Sequence, residues 1–495
     1  MKKLLLFSII TVQLFSCTKQ LDQVPLSVAS VDGFYGNTKD FQKAINGIYS
    51  TLRFYPNAQL RLSEVRSDNI YVQAATDQMN ANISRFQLSL AINTYVEEAW
   101  NVDFRGIMKA NTLLDKLNDK VVPEEADRNR IEGQAKFLRA FYYFDALRWF
   151  GPLPLNKAPL TPTEVLANGR SSVEDIYDFI IADLEDAIRL LPDSYPPAET
   201  GYATSYAARG ILARVYLTRS GPKIHPDGPC LGTNEYQKAL DLLNEIIAGP
   251  YEMLTDYPSI FSFFNENNKE IIFAIQFKSG AGVGASYPTV LTGTTWWNSV
   301  NLPFQGAGDR NSVSVELINS YGEDDIRLDN NVVLEYTSQG VFIQDNPTCV
   351  KFASADKATW GVFRDDFGTD FPVLRLTDVL LMKAECILQG AAGTQTEVDD
   401  IVNAVRARAQ VDPVSDVTLD FLLEERRKEF LGEGLRWHDI VRTGKVLDIM
   451  NAWIPTVDLG DQMTYPINAD HIIYPIPQSE IEIKKGLYYQ NKGYY

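Results

Sequence analysis

Histidine and cysteine are scarce in this chain, three and four respectively among 495 residues. His225, His438 and His471 stand far apart, with no H-E-x-x-H or similar ligand spacing, so no metal motif is present. With Cys17 set aside, Cys230, Cys349 and Cys386 remain. At most one disulfide can form, so no disulfide framework holds the fold. Cys386 sits in the apolar run 380–388 and reads as a buried small hydrophobe. Positive charge is short too: 46 Lys and Arg against 64 Asp and Glu give a net −18. A nucleic-acid partner calls for a basic stripe, and the balance argues against one. There is no G-x-S-x-G elbow, no Walker loop and no D-x-D-x-D-G calcium loop. No cofactor is implied. A carboxylate pair for glycoside hydrolysis leaves no local signature, so that chemistry stays open.

Long apolar runs are also missing, apart from a short one at the start. Lys2 and Lys3 precede an uncharged stretch from Leu4 to Phe15, and Leu14-Phe15-Ser16 leads into Cys17. A basic start, a short apolar core and a small residue before the cut make a secretory signal peptide, too short to span a bilayer. A cysteine at the cut suggests a lipobox, with residues 1–16 removed and Cys17 acylated. Three acyl chains exceed what stable anchoring needs. The alternative is a plain signal peptide with an incidental cysteine. Beyond it, 45% apolar content excludes global disorder and suffices for a large core.

Helical periodicity dominates the body of the chain. Residues 41–191 read as helices. In 137–150, Phe137, Phe141, Phe144 and Leu147 share a face while Leu138, Tyr142, Tyr143 and Trp149 make the rest apolar, which implies packing on several sides. Gly151-Pro152 stops that helix, and Ser171 or Ser172 caps one running to about Leu191. Residues 203–220, with Ala203, Ala207 and Ala208, pair with a helix carrying Tyr236, Leu240, Leu243 and Ile247. A third pair is expected at 371–389 and 396–409. Such pairs look like degenerate tetratricopeptide repeats, an ordinary helical domain being the plainer reading. Residues 271–277 read as a strand. From 278 to 370 the chain is rich in Gly, Ser, Thr, Asn and aromatics without a sustained period, and so long a loop is usually functional.

Two segments mimic chemistry. Gly280-Ala281-Gly282-Val283-Gly284 matches a dinucleotide fingerprint, but Pro288 and the Thr/Gly run after it cannot open the required helix. Residues 424–439 are dense in charge. On a helix, Glu424 meets Arg427 and Lys428, Arg426 meets Glu429, and Arg436 meets Asp439. This reads as an ion-paired helix locking the core.

Five stretches, taken in order, resemble the SusD/RagB family of outer-membrane nutrient-binding lipoproteins. They are 135–154, 203–221, 374–387, 425–444 (E-R-R-K-E-F-L-G-E-G-L-R-W-H-D-I-V-R-T-G) and 474–494. Three departures stand out: the residues after Cys17 lack an acidic cluster, Lys484-Lys485 replaces the usual Asn-Pro, and His438 stands where an aromatic is common. The resemblance implies a mostly α fold, a tetratricopeptide-like superhelix with a large irregular loop and short-strand insertion as ligand face. It divides the chain into a signal peptide (1–16), an N-terminal helical region (17–220), a second repeat helix with strand and ligand-face insertion (221–370), and a C-terminal region (371–495), all in one body. It also implies a non-catalytic surface lipoprotein, anchored in the outer membrane, that passes a glycan or peptide to a SusC-like TonB-dependent barrel. A secreted glycan-active hydrolase and a purely structural scaffold are the competing readings. The matched motifs belong to the scaffold, so no site residue carries over.

Candidate site residues therefore come from chemistry. Sugars need flat aromatic platforms beside hydrogen-bonding side chains, displayed on loops. Trp296, Trp297 and Asn298 fit best, with Trp360 as a second platform. Asp68, Asn69 and Tyr71, together with Asp77 and Gln78, form the expected polar rim. Either indole at 296 or 297 is equally well read as capping the core.

Overall fold

The computed structural model describes residues 31–74, 77–280, 282–302, 310–354, 356, 365–458 and 460–494. Cys17 and Trp360 lie outside them. A ladder of helices forms the frame. Thr94–Lys116 packs on Glu125–Phe150, and beyond these come Val173–Leu190, Ser205–Ser220, Tyr236–Ile247, Leu376–Leu388 and Gln395–Arg408, each against the next. Side-chain caps set their starts. Asn93 accepts from the amides of Tyr95 and Val96, Ser172 from Asp175, Thr204 from Ala207 and Thr394 from Glu397. As expected, every residue from Phe137 to Phe150 is buried. Gly106 lets the neighbouring helix close in, since a Cβ there would stand 2.3 Å from the Tyr142 ring. The mostly α expectation holds.

The expected helix at 371 begins instead as a strand. Phe371–Arg375 pairs antiparallel with Ile271–Ile275, and the helix starts at Leu376. All five strand residues are buried, so no two-residue alternation marked them. The described residues of the irregular stretch hold short helices and short strands. Arg310–Val313, Thr348–Cys349 and Val332–Val333 join Ile70–Ala74 in one sheet, with Tyr71 opposite Ser312. That pairing ties the irregular face to the N-terminal helices. The glycine-rich loop folds around an anion of its own: the amides of Gly280 and Gly284 each donate to the Asp366 carboxylate at 2.9 Å. Cys230, Cys349 and Cys386 are all buried free thiols. His438 is buried against Trp149, ring centroids 4.3 Å apart, and fills its position as an aromatic would.

The charged segment locks the core, but chiefly across elements rather than along its own helix. Among the expected neighbours, Glu424 and Arg427 do pair at 3.4 Å, while Lys428 turns to the Ser320 carbonyl. Arg375, fully buried, donates to Glu270, Glu429 and Glu433, each at 2.9 Å. Arg408 bonds Glu270 and Glu429, Arg327 bonds Asp325 and Glu425, and Arg426 bonds Asp378 and Asp439. Arg436 reaches Asp68 rather than Asp439. Burial raises the Glu429 carboxyl, but Arg408, Arg375 and Arg327 outweigh it and hold the group down at about 2. A buried lattice of this kind is costly to break on one side, about 3–5 kcal/mol when one partner is removed.

Candidate functional site

Burial corrects several of the site expectations. Trp296 and Trp297 lie not on an open loop but in the short helix Thr294–Ser299, at 6% and 0% exposure. The Trp297 indole donates to Thr292 Oγ1 at 2.7 Å and its ring stacks near Phe367. With its one polar group satisfied, the indole can be buried whole. These tryptophans are core here, not displayed platforms. Asp68 and Asn69 are struts rather than a rim. Asp68 accepts from Arg436 at 2.7 and 2.8 Å and also pairs with Arg427, while Asn69 bridges Arg427 and Glu64. Burial would raise the Asp68 carboxyl, yet Arg427 and Arg436 hold it at about 2. The cationic helix needed buried counter-charges, and this loop supplies them. Tyr71 and Asn298 are half-buried and Gln78 is exposed.

Among the described residues of the expected set, Asp77 alone lines a cleft of ligand size. That cleft, about 450 Å³, lies between the helix Tyr55–Gln59 with its extension to Arg61, the start of Thr94–Lys116, and residues 286–290. Asp77 ends the loop after the strand Ile70–Ala74 and caps the helix Gln78–Ser84, accepting from the amides of Met79 at 2.9 Å and Asn80 at 3.4 Å. Tyr95 donates its hydroxyl to the same carboxylate. Over the Tyr95 ring lies the Arg61 guanidinium, 3.9 Å from the centroid, which also donates to Asn80 Oδ1 at 3.2 Å. Asn57 bonds Ser286 at 2.9 Å across the floor. Exposed Glu98 and partly exposed Phe54 complete the described wall, with Asp365 opposite.

The arrangement offers one flat aromatic with a cation on its face, a second ring at the mouth, and amide, hydroxyl and carboxylate groups at several angles. That is a surface for a ring with polar substituents. Acids that burial lifts towards neutrality, Glu64 and Glu266 to about 7 and Asp370 to about 8, are not among the cleft's lining. Arg61, Asn57, Tyr95 and Glu98 were not anticipated from sequence. Helical periodicity gave their elements but not which solvent-facing side meets a neighbouring loop. The polar pair Asn93-Thr94 directly before Tyr95 was the available signal, since it marks a helix start where a side chain can project.

Residues 21–217 match a family described as "Starch-binding associating with outer membrane", and residues 346–494 match the SusD family. The chain belongs to the SusD/RagB family. It is similar to SusD-like protein P25 of Formosa agariphila, 24% identical over 96% of this chain and 95% of that one. Two solved structures share the fold. Surface glycan-binding protein A from Bacteroides thetaiotaomicron, in complex with laminarihexaose, is 23% identical with a TM-score of 0.77, covering 92% of this chain and 99% of that one. A laminarin-binding SusD-like protein is 24% identical with a TM-score of 0.74, covering 93% and 100%. Among the described residues no helix is long and apolar enough to cross a membrane.

Proposed function

We infer that this SusD/RagB chain is a glycan-binding protein of the outer membrane, that the cleft around Tyr95 holds an oligosaccharide, and that the protein works without catalysis. The observation carrying the reading is the Arg61-backed Tyr95 ring beside Asp77, Asn57 and Glu98, an aromatic platform flanked by groups that bond sugar hydroxyls. The Asp77 carboxylate accepts from two amides and the Tyr95 hydroxyl, which fixes its orientation. The two structural relatives, glycan and laminarin binders by name, support the class. Acylation at Cys17 would tether the body to the membrane, facing outward, and the ligand would pass to a SusC-like TonB-dependent barrel.

The test is a panel of oligosaccharides and peptides incubated with the purified protein. Binding without turnover is expected for a glycan. Product formation overturns the non-catalytic reading, and binding of peptides alone overturns the glycan. Cys17→Ala should abolish labelling by a lipid precursor and release the protein from outer-membrane fractions. Recovery of labelled, membrane-bound variant would rule Cys17 out as the acceptor.

A further inference from the structure

A second cleft, about 510 Å³, opens on the other side of the segment Ser50–Phe54. The partition between the two is short: Phe54 lines the first cleft, Arg53 the second, and Arg53 donates to the Val283 carbonyl at 3.0 Å. One wall of the second cleft is aromatic. The rings of Tyr49 and Tyr202 lie 5.3 Å apart, and hydrogen bonds fix both: Tyr49 accepts from the Ala203 amide at 2.9 Å and Tyr202 donates to Asn46 at 2.6 Å. The opposite wall is the strand Ile271–Ile275 and its continuation through Lys278. Gly201 makes the closure possible. Its φ is +99°, and a Cβ there would stand 2.5 Å from the Gln276 side chain. The cleft is thus built from rigid, mutually bonded parts.

Its charge differs from that of the molecule as a whole. In a chain of net −18, Arg53 and Lys278 line this cleft with no carboxylate partner among the described residues. The Glu199 carboxylate, which also lines it, is paired with Arg130 at 2.8 Å. Behind the strand, Asp370 accepts from the Phe277 amide at 2.7 Å. Burial, with Glu266 nearby, pushes the Asp370 carboxyl up to about 8, and burial pushes Glu266 up to about 7, so at neutral pH Asp370 is mostly and Glu266 partly protonated, while the Asp366 carboxylate is bonded to the Gly280 and Gly284 amides. Two cations without an ion-pair partner among the described residues, beside the Tyr49 and Tyr202 rings tilted at 50° to each other and the amide side chains of Asn46 and Gln276, make a site for a ring that carries an anion.

We propose that the Tyr49/Tyr202 cleft is a second, separate carbohydrate site that takes an acidic sugar, its carboxylate or sulfate ester meeting Arg53 and Lys278. The shared chemistry is an anionic group on a sugar ring. The site is additional to the Tyr95 cleft and does not depend on that cleft's ligand.

The experiment is binding calorimetry on the full-length protein at low salt with four probes: oligogalacturonate, its fully methyl-esterified form, a sulfated galactan oligosaccharide, and hexaglutamate. Oligogalacturonate, the sulfated galactan or both should bind, the methyl ester and hexaglutamate at least tenfold more weakly. Which acidic probe binds tells carboxylate from sulfate. Arg53→Gln with Lys278→Gln should weaken that binding at least tenfold, and Lys278→Glu alone should weaken it as well. Acidic-probe binding should persist when the neutral oligosaccharide chosen from the panel is present at saturation, which separates this site from the first. Absence of binding by both acidic sugars overturns the proposal. So does binding undiminished in the double variant, equal affinity for the methyl ester, or equal affinity for hexaglutamate, which would make the site a peptide groove.

Discussion

The lattice around the helix Leu419–Glu429 and the cleft around Tyr95 use the same residue types to opposite ends. In the lattice, Arg375, Arg408 and Arg327 are sealed from water and each meets two or more carboxylates. In the cleft, Arg61 lies on a ring and donates to an amide, while Glu98 faces solvent. A charge with its bonding capacity consumed inside the protein can only hold shape. A charge with capacity left over can meet a ligand. The difference explains why the most strongly patterned charges in the sequence, those at 424–439, belong to structure, whereas the groups of the proposed cleft are scattered singly over distant elements.

Breaking the lattice should have the largest effect. Arg375→Ala orphans parts of Glu270, Glu429 and Glu433, and a loss of about 3–5 kcal/mol is expected, read as a fall in the denaturation midpoint. Trp297→Ala should cost a similar amount, about 3–5 kcal/mol, because the ring is enclosed and only partly replaced by relaxation. A Trp297→Ala protein with wild-type stability and lost glycan binding would restore the platform reading of that residue.

Asp77→Ala stands between the two regions, since this carboxylate caps a helix and lines the cleft. About 1 kcal/mol of stability should go with the cap, and glycan affinity should fall too. Asp77→Ser, which keeps a capping oxygen, should recover stability more fully than affinity. Thermal scans alongside binding isotherms separate the two effects.

The acids supply a subtler contrast, visible in pH dependence. Asp68 and Glu429 are held at about 2, below their ordinary 3.8 and 4.5, so the stability they contribute is present above those values and lost as pH falls. Glu266 and Asp370, raised to about 7 and 8, act the other way. The native state keeps protons that the unfolded chain has released, and stability falls as pH rises from about 4 to 8. A maximum near pH 5 is expected. Glu266→Gln with Asp370→Asn should make the alkaline limb shallower, with Glu64, also raised to about 7, still contributing to it, and leave the acid limb intact. The smallest effect belongs to exposed Gln78, where alanine should change stability by less than about 0.5 kcal/mol.

Much of the frame was legible because periodicity and caps are local. Phe137, Phe141, Phe144 and Leu147 announced a buried helix, and Ser172 announced the next. The strand Phe371–Arg375 was hidden by uniform burial, which erases alternation. Of the expected site residues among those described, Asp77 alone lines the proposed cleft. Trp296 and Trp297 sit in a glycine- and threonine-rich stretch that looks displayed, yet Thr292 satisfies the Trp297 indole and Phe367 covers its ring. Asp68 looked like a loop acid because its partners, Arg427 and Arg436, lie more than 350 residues away in sequence. Contacts of that range are set by topology, and no window of sequence contains them.

The most direct test is calorimetric titration of the oligosaccharide chosen from the panel into wild-type protein and Tyr95→Ala, with thermal midpoints recorded on the same samples. Loss of one stacked aromatic should weaken binding on the order of tenfold, near 1.4 kcal/mol, with the midpoint almost unmoved because Tyr95 is only half-buried. Unchanged affinity in Tyr95→Ala would contradict the assignment of the cleft, and binding lost only together with stability would make Tyr95 part of the frame.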